Sequence, residues 1–254
     1  MPAWRDVILT GDWHLGRSNE HDARCEAYAH ALESQYPEAR LVILGDAGNE
    51  SLRELMERFL FLVGYWMQKG RLELVPGNHD RAGSLGSRVR DGAVQDWNEV
   101  FGEKWSDNAR VALSWGTANA RERPLVLVDS TRHETGLDEA IEHAAEGVLS
   151  AHTAALVTAF AAPYAIVCMH HNPFDVRKFM ELLGAENALG CWQGRMGAVA
   201  YGHSGVYGID TQVPWGAQGT TRWICCDESV ERGTAILIPG AQHTPTPQLI
   251  SVLP

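Results

Sequence analysis

Five short apolar runs, each stopped by polar side chains, constrain this chain of 254 residues more than any other feature. They are DVILT at 6–10, LVILGD at 41–46, LELV at 72–75, LVLVD at 125–129 and AIVCMH at 165–170. Runs this short and this continuously apolar suit strands buried on both faces, as in a largely parallel sheet. Helical stretches are expected between them. Ser51-Leu52-Arg53-Glu54 reads as a capping box opening a helix to about Gln68, with Arg53/Glu57 and Glu54/Arg58 spaced as i,i+4 pairs. A second helix is expected over 138–160, stopped by Pro163. From Gly194 onward GAVAYGH, GVYGID, TTRWICCD and TAILIPG read as strands and turns of an antiparallel or mixed sheet. With no linker or repeat, the expectation is one α/β domain over 1–254, with 83–92 as a surface loop.

Composition narrows the partners. A hydrophobic content of 45% is ample for a packed core. No apolar stretch is long enough to span a bilayer, and the start, MPAWRDVILTGDWH, lacks the features of a secretory signal, so a cytoplasmic protein without membrane partners is expected. Five cysteines at no zinc-site spacing read as reduced, mostly buried thiols. A net charge of -11 disfavours a broad grip on nucleic acid but leaves room for bound metal ions that supply positive charge locally.

The polar clusters carry the chemistry: Asp12-Trp13-His14, Gly45-Asp46, Gly77-Asn78-His79-Asp80, His170-His171 and Gly202-His203. Strand ends of an α/β sheet meet at one crevice, so these segments should deliver their side chains to one place. Carboxylate, amide and imidazole without thiolate suit manganese, iron or zinc. The ligands suffice for two ions, and a shared carboxylate would hold them about 3.5–4 Å apart, a spacing suited to in-line displacement at phosphorus. Asp46, alone on its strand end, is the natural bridge. If the chain stays extended, Asp12 and His14 face one way with Trp13 turned inward, and only one of His170 and His171 faces the ions. His170, first off its strand, is taken as the ligand.

The ordered set D-x-H, G-D, G-N-H-D, H-H, G-H from Asp12 to His203 resembles the calcineurin-like metallophosphoesterase superfamily. The resemblance implies a four-layer α/β/β/α sandwich with a dinuclear site. By match, Asp12, His14 and Asp46 hold one ion, and Asp46, Asn78, His170 and His203 the other. His79 then looks like the acid that protonates the leaving alkoxide, and Asp80 like the group that orients and charges its ring. Two departures stand out. Gly205 replaces the histidine that many relatives carry two residues after His203, leaving weaker metal at the first position unless an outlier such as His243 folds in. Gly45-Asp46-Ala47-Gly48-Asn49 also lacks the arginine of phosphoprotein phosphatases, leaving Arg17, Arg81, Arg88 and Arg90 as candidates that read more readily as solvated charges.

The expected activity is a metal-dependent phosphoric ester hydrolase, a phosphodiesterase acting on a nucleotide or other small phosphodiester with two divalent ions, manganese foremost. HHNPF at 170–174 resembles the class III cyclic-nucleotide phosphodiesterases, whereas GDWHLGR at 11–17 resembles the SbcD-type DNA-repair nucleases. The acidic charge weakens the nuclease alternative. A phosphomonoesterase or phosphoprotein phosphatase remains open, and His79 and Asp80 speak against a non-catalytic scaffold. Trp192, Trp215 and Trp223 could stack on a nucleobase, but core packing is the simpler role.

Overall fold

The computed structural model describes residues 4–81, 92–102, 109–112, 123–131, 155, 157–160, 162–173, 192, 195–203, 206–211 and 220–254. In chain order the strands are β1 (Val7–Thr10), β2 (Arg40–Leu44), β3 (Leu72–Val75), β4 (Ala109–Ala112), β5 (Leu125–Val128), β6 (Ile166–Met169), β7 (Ala198–Tyr201), β8 (Gly208–Ile209), β9 (Arg222–Cys225), β10 (Thr234–Ile238) and β11 (Gln248–Ser251). The helices are α1 (Asn19–Gln35), α2 (Arg53–Leu62), α3 (Gly64–Gln68), α4 (Asn78–Arg81), α5 (Ala93–Phe101) and α6 (Ser229–Arg232).

The strands form two sheets, ordered β11-β10-β1-β2-β3 and β4-β5-β6-β7-β9-β8. The middles of both are parallel: β1 with β2 and β2 with β3 in the first, and β5-β6-β7-β9 in the second. The glycine-rich C-terminal third is shared between the sheets. β10 and β11 extend the first sheet antiparallel, while β7 and β9 join the second sheet parallel.

Two-sided burial explains the uninterrupted apolar runs. Leu125 and Leu127 of β5, with Ile166 and Cys168 of β6, join the cluster that also holds β1, β2 and the inner faces of α1 and α2. The alternate residues Val126, Val128, Val167 and Met169 face a second cluster containing Val157, Trp192 and Met196. Side chains of a strand alternate between faces, so one side of the second sheet packs on the first sheet and the other beneath the outer residues. The result is a four-layer α/β/β/α sandwich.

Two helix expectations change. Ser51 does not cap a helix: Leu52 is the N-cap of α2, without a side-chain bond, and the helix is interrupted at Val63 before α3. The i,i+4 pairing survives at Arg53–Glu57 (2.9 Å), but Arg58 turns from Glu54 to Asp22 on α1 at 2.8 Å, tying the two helices together. The 138–160 helix and the 83–92 loop fall almost wholly outside the described residues. Trp192 and Trp223 are buried, so both pack in the core rather than stack on a ligand, while Trp215 lies outside the description. Cys25, Cys168, Cys225 and Cys226 are buried and free. No described helix is long and apolar enough to cross a membrane.

Leu127 stands between the sheets and is fully buried, whereas Leu249 on edge strand β11 is 56% exposed. Leu127→Ala is expected to cost about 2–5 kcal/mol and Leu249→Ala under about 0.5 kcal/mol, as read from urea unfolding midpoints at constant slope.

Candidate metal centre

The chain leaves its strands in an unusual way. Asp12, His14, Asp46 and His203 have φ of 54°, 48°, 51° and 61°, and they are four of the six non-glycine residues with positive φ among those described. Each such residue costs on the order of 1–3 kcal/mol and persists only where its surroundings fix it. The Asp12-to-His14 segment is therefore not extended. Left-handed turns at both residues aim their side chains, while Trp13 packs inward, edge-on to Tyr28 and Phe59 at 5.1 and 5.3 Å. The loops after β1 and β2 hold each other. Asp12, His14 and Leu15 amides donate to the carbonyls of Gly45, Asp46 and Ala47 at 3.1, 2.9 and 3.1 Å.

Asp46 occupies the middle. Its Oδ2 is 3.8 Å from His14 Nε2 and its Oδ1 is 3.5 Å from His170 Nε2, so one carboxylate faces an imidazole on either side. Asp12, Asp46 and His170 form one group with ligand atoms within 4.8 Å of one another, and His14, Asp46 and His79 form another. A third group contains His170, His171 and His203. Because β6 stops at Met169, the alternation that would turn His171 away does not apply, and the His171 and His203 rings lie 4.8 Å apart. His171 Nδ1 also meets Ser130 Oγ at 2.8 Å.

Glycine lets these loops approach. A Cβ on Gly77 would lie 2.1 Å from Asp46 Oδ1, one on Gly45 2.3 Å from His170 Nδ1, and one on Gly202 2.5 Å from Asp12 Oδ2. The glycines of three motifs thus mark where one loop's backbone passes another loop's polar side chain.

The Gly-Asn-His-Asp segment divides its tasks. Asn78 Oδ1 meets His170 Nε2 at 2.9 Å. His79 Nδ1 donates to the Asn49 carbonyl at 2.8 Å, and the His79 amide donates to Asp46 Oδ1 at 2.9 Å. Asp80 has a different position from the one expected. Rather than orienting His79, its carboxylate accepts the amides of Gly77 (2.8 Å), Gly48 (3.1 Å) and Ala47 (3.4 Å), fastening the loop after β3 to the loop after β2. The Asn49 carbonyl takes over the orientation of His79.

The candidate arginines are engaged elsewhere. Arg81 is buried, paired with Asp129 at 2.9 Å and set over the Trp97 ring, so it is neither a solvated charge nor a phosphate contact. Arg17 pairs with Glu231 at 3.2 Å. Arg88, Arg90 and Gly205 lie outside the described residues. His243 packs at a tilt against Trp4 and Tyr164 and takes no part in the centre. Sequence reasoning missed Asn49, Ser130 and Asp227. The last two sit in DST at 129–131 and CCD at 225–227, two further polar clusters at strand ends.

The electrostatics call for a cation. Burial first, then Asp46, Asp227 and Asp80, push the Asp12 carboxyl well above its ordinary range. Burial and Asp46 raise Asp80 to about 7, and burial with Glu228 raises Asp227 to about 6. Burial lowers His14 and His170 to about 4, keeping both rings neutral and able to donate a lone pair to a metal. His170 Nδ1 donates to the Leu44 carbonyl at 2.8 Å, which fixes the tautomer with Nε2 unprotonated and facing Asn78 Oδ1, a second acceptor. Their 2.9 Å separation suits neighbouring ligands of one ion, since two bonds of about 2.1 Å at right angles end about 3.0 Å apart. His14 Nδ1 is buried with no hydrogen-bond partner among the described residues. Donor set and spacing both fit a divalent ion.

A family model described as calcineurin-like phosphoesterase matches residues 6–207. The chain belongs to that family. Calcineurin-like phosphoesterases are metal-dependent phosphoester hydrolases with a dinuclear centre, and the Asp and His groups above are this chain's candidates for it. Among solved structures, a dimetal phosphatase from Danio rerio aligns over 100% of both chains with a TM-score of 0.56 and 13% identity. A purple acid phosphatase from yellow lupin (Lupinus luteus) seeds aligns over 99% of this chain and 52% of its own, with a TM-score of 0.59 and 13% identity. A 5'-nucleotidase precursor from Thermus thermophilus aligns over 97% of this chain and 54% of its own, with a TM-score of 0.51 and 12% identity. At these identities the likeness is one of fold. Comparison with curated proteins gives no match.

Protons should leave when metal enters. Asp12 holds its proton above the ordinary carboxylate range, and Asp227 and Asp80 do so to about 6 and 7, so a cation must displace protons that the metal-free site retains. Manganese affinity is therefore expected to rise with pH through that window. Calorimetric titrations at about pH 5.5 and 8, in buffers of different ionisation enthalpy, should show more protons released per ion bound at the lower value.

Proposed function

We propose that this calcineurin-like phosphoesterase is a phosphodiesterase that hydrolyses a nucleotide or another small phosphodiester with two divalent ions. Manganese is the preferred metal, with iron or zinc as substitutes. The observation that carries the reading is Asp46 lying between His14 and His170, one carboxylate oxygen toward each. Asp12, His14 and Asp46 would hold one ion, and Asp46, Asn78, His170 and His203 the other, with His171 close enough to His203 to add to the second set. Bound there, the ions would supply Lewis-acid charge to the phosphoryl oxygens and to the attacking water.

The chain's own residues account for the rest. With Nδ1 donating to the Asn49 carbonyl, His79 can present Nε2 to the leaving oxygen and deliver a proton as its bond to phosphorus breaks. Asp80 acts one step back, by fixing the loop that carries Asn78 and His79. A diester is favoured over a monoester because Arg17 and Arg81 are committed to Glu231 and Asp129. A dianionic monoester asks for more cationic contacts than a monoanionic diester does. The net charge of -11 disfavours long nucleic acids, and four free buried cysteines accord with a reducing compartment such as the cytoplasm.

With manganese, the protein should turn over bis(p-nitrophenyl) phosphate faster than p-nitrophenyl phosphate. Reaction with the monoester alone would replace the phosphodiesterase reading with a phosphomonoesterase. His79→Ala should slow a diester with a poor alkoxide leaving group by roughly 10²–10⁴-fold, and one releasing p-nitrophenolate much less. Equal losses for both leaving groups would remove His79 from the proton-donor role.

A further inference from the structure

We propose that His21, backed by Glu231, is a positioning residue for the metal centre: it holds the Trp13 carbonyl and so fixes the turn that presents Asp12 and His14. The inference rests on the reading of those two residues as ligands. His21, in the first turn of α1, is buried, and its Nε2 lies 2.6 Å from the Trp13 carbonyl oxygen. A carbonyl only accepts, so Nε2 donates. The Cys25 thiol, one turn further along α1, adds a weaker bond to the same oxygen at 3.3 Å. On the other side of the ring, Nδ1 is 3.2 Å from a Glu231 carboxylate oxygen on α6, a contact that holds the ring when Nδ1 carries a proton as well.

The Trp13 carbonyl matters because a peptide unit is planar. Its oxygen and the His14 N–H belong to one rigid plate, and that N–H donates to the Asp46 carbonyl at 2.9 Å. The plate between the two ligand-bearing residues is thus gripped at both ends, by Asp46's backbone on the site side and by His21 on the far side. Rotating it would change ψ of Trp13 and φ of His14 together, and φ of His14 is already in the left-handed region at 48°. Neighbouring contacts extend the clamp. Asp22 accepts the Gly16 amide at 2.6 Å, Glu231 also takes Arg17 at 3.2 Å, and Arg24 ties the Val230 and Glu231 carbonyls to α1 at 2.8 and 3.1 Å. On the other flank, Gly11 and Ser229 exchange two bonds of 3.2 Å. The helices α1 and α6 thereby form a rigid seat for the Asp12–His14 turn.

Manganese alone, titrated calorimetrically into metal-free protein, tests this. His21→Ala should bind the ion about 10–100-fold more weakly, the usual effect of losing a partner that orients metal ligands. His21→Gln, whose side-chain amide can donate to the same carbonyl, should recover affinity to within about threefold of the parent. Glu231→Gln, at a position whose side chain is 41% exposed, should fall between the two. Parent-like affinity in His21→Ala, or equal losses in the Ala and Gln variants, would overturn the assignment and leave His21 as packing. If His21→Ala does not fold, the comparison rests on the other two: an unchanged Glu231→Gln together with a His21→Gln weakened tenfold would overturn it. A parent protein that takes up no manganese would overturn the metal-site reading itself, and this inference with it.

Discussion

Four carboxylates, those of Asp12, Asp46, Asp80 and Asp227, act on one another where the two sheets end, and much of the local structure answers that repulsion. Two like charges 4 Å apart repel by about 4 kcal/mol at the effective dielectric of a protein's outer shell. Backbone amides supply the first response. Asp80 accepts three, Asp46 accepts that of His79, and Asp12 accepts that of His203 with both oxygens. Partial positive charge on N–H groups is what loops can offer without adding a counter-charge that would compete with a metal. The left-handed residues and the crowded glycines follow, because only sharply turned loops bring that many amides to one point.

Much of this was legible in the sequence, for a physical reason. Strands covered on both faces need continuous apolar runs, and polar residues that end them stand at the sheet's rim, so both strand positions and site contents could be read from one pattern. The two sheets came only with the family resemblance, and which strand joins which sheet was not written there: the runs of β1 and β5 look alike, and pairing depends on contacts between distant segments. Backbone conformation at Asp12 and His14 was also hidden, because nothing in D-W-H distinguishes an extended segment from two left-handed turns. Arg81 misled for a related reason. Read alone it is a loop charge; its partner Asp129 lies 48 residues away, and only the fold shows that each neutralises the other. Arg40 and Glu73, inside or beside apolar runs, likewise make sense only as a buried pair on adjacent strands.

The Gly-Asn-His-Asp motif shows how adjacency in sequence can conceal separation of roles. A carboxylate next to a histidine suggests a dyad. In the short helix α4, however, Asp80 points back to the loops beneath while His79 points to the site, and a backbone carbonyl from Asn49 orients the ring instead. A carbonyl can fix a ring's tautomer without bringing another negative charge toward a centre already rich in it.

The bond from His170 on the second sheet to Leu44 on the first, and that from the His203 amide to Asp12, mean that the centre is assembled from both halves of the sandwich. An ion held there binds the folded state and has no comparable site in the unfolded chain. By mass action, each tenfold rise in free ion above the dissociation constant then adds about 1.4 kcal/mol to folding. Resistance of such a chain to proteolysis would then rise with the free divalent metal around it.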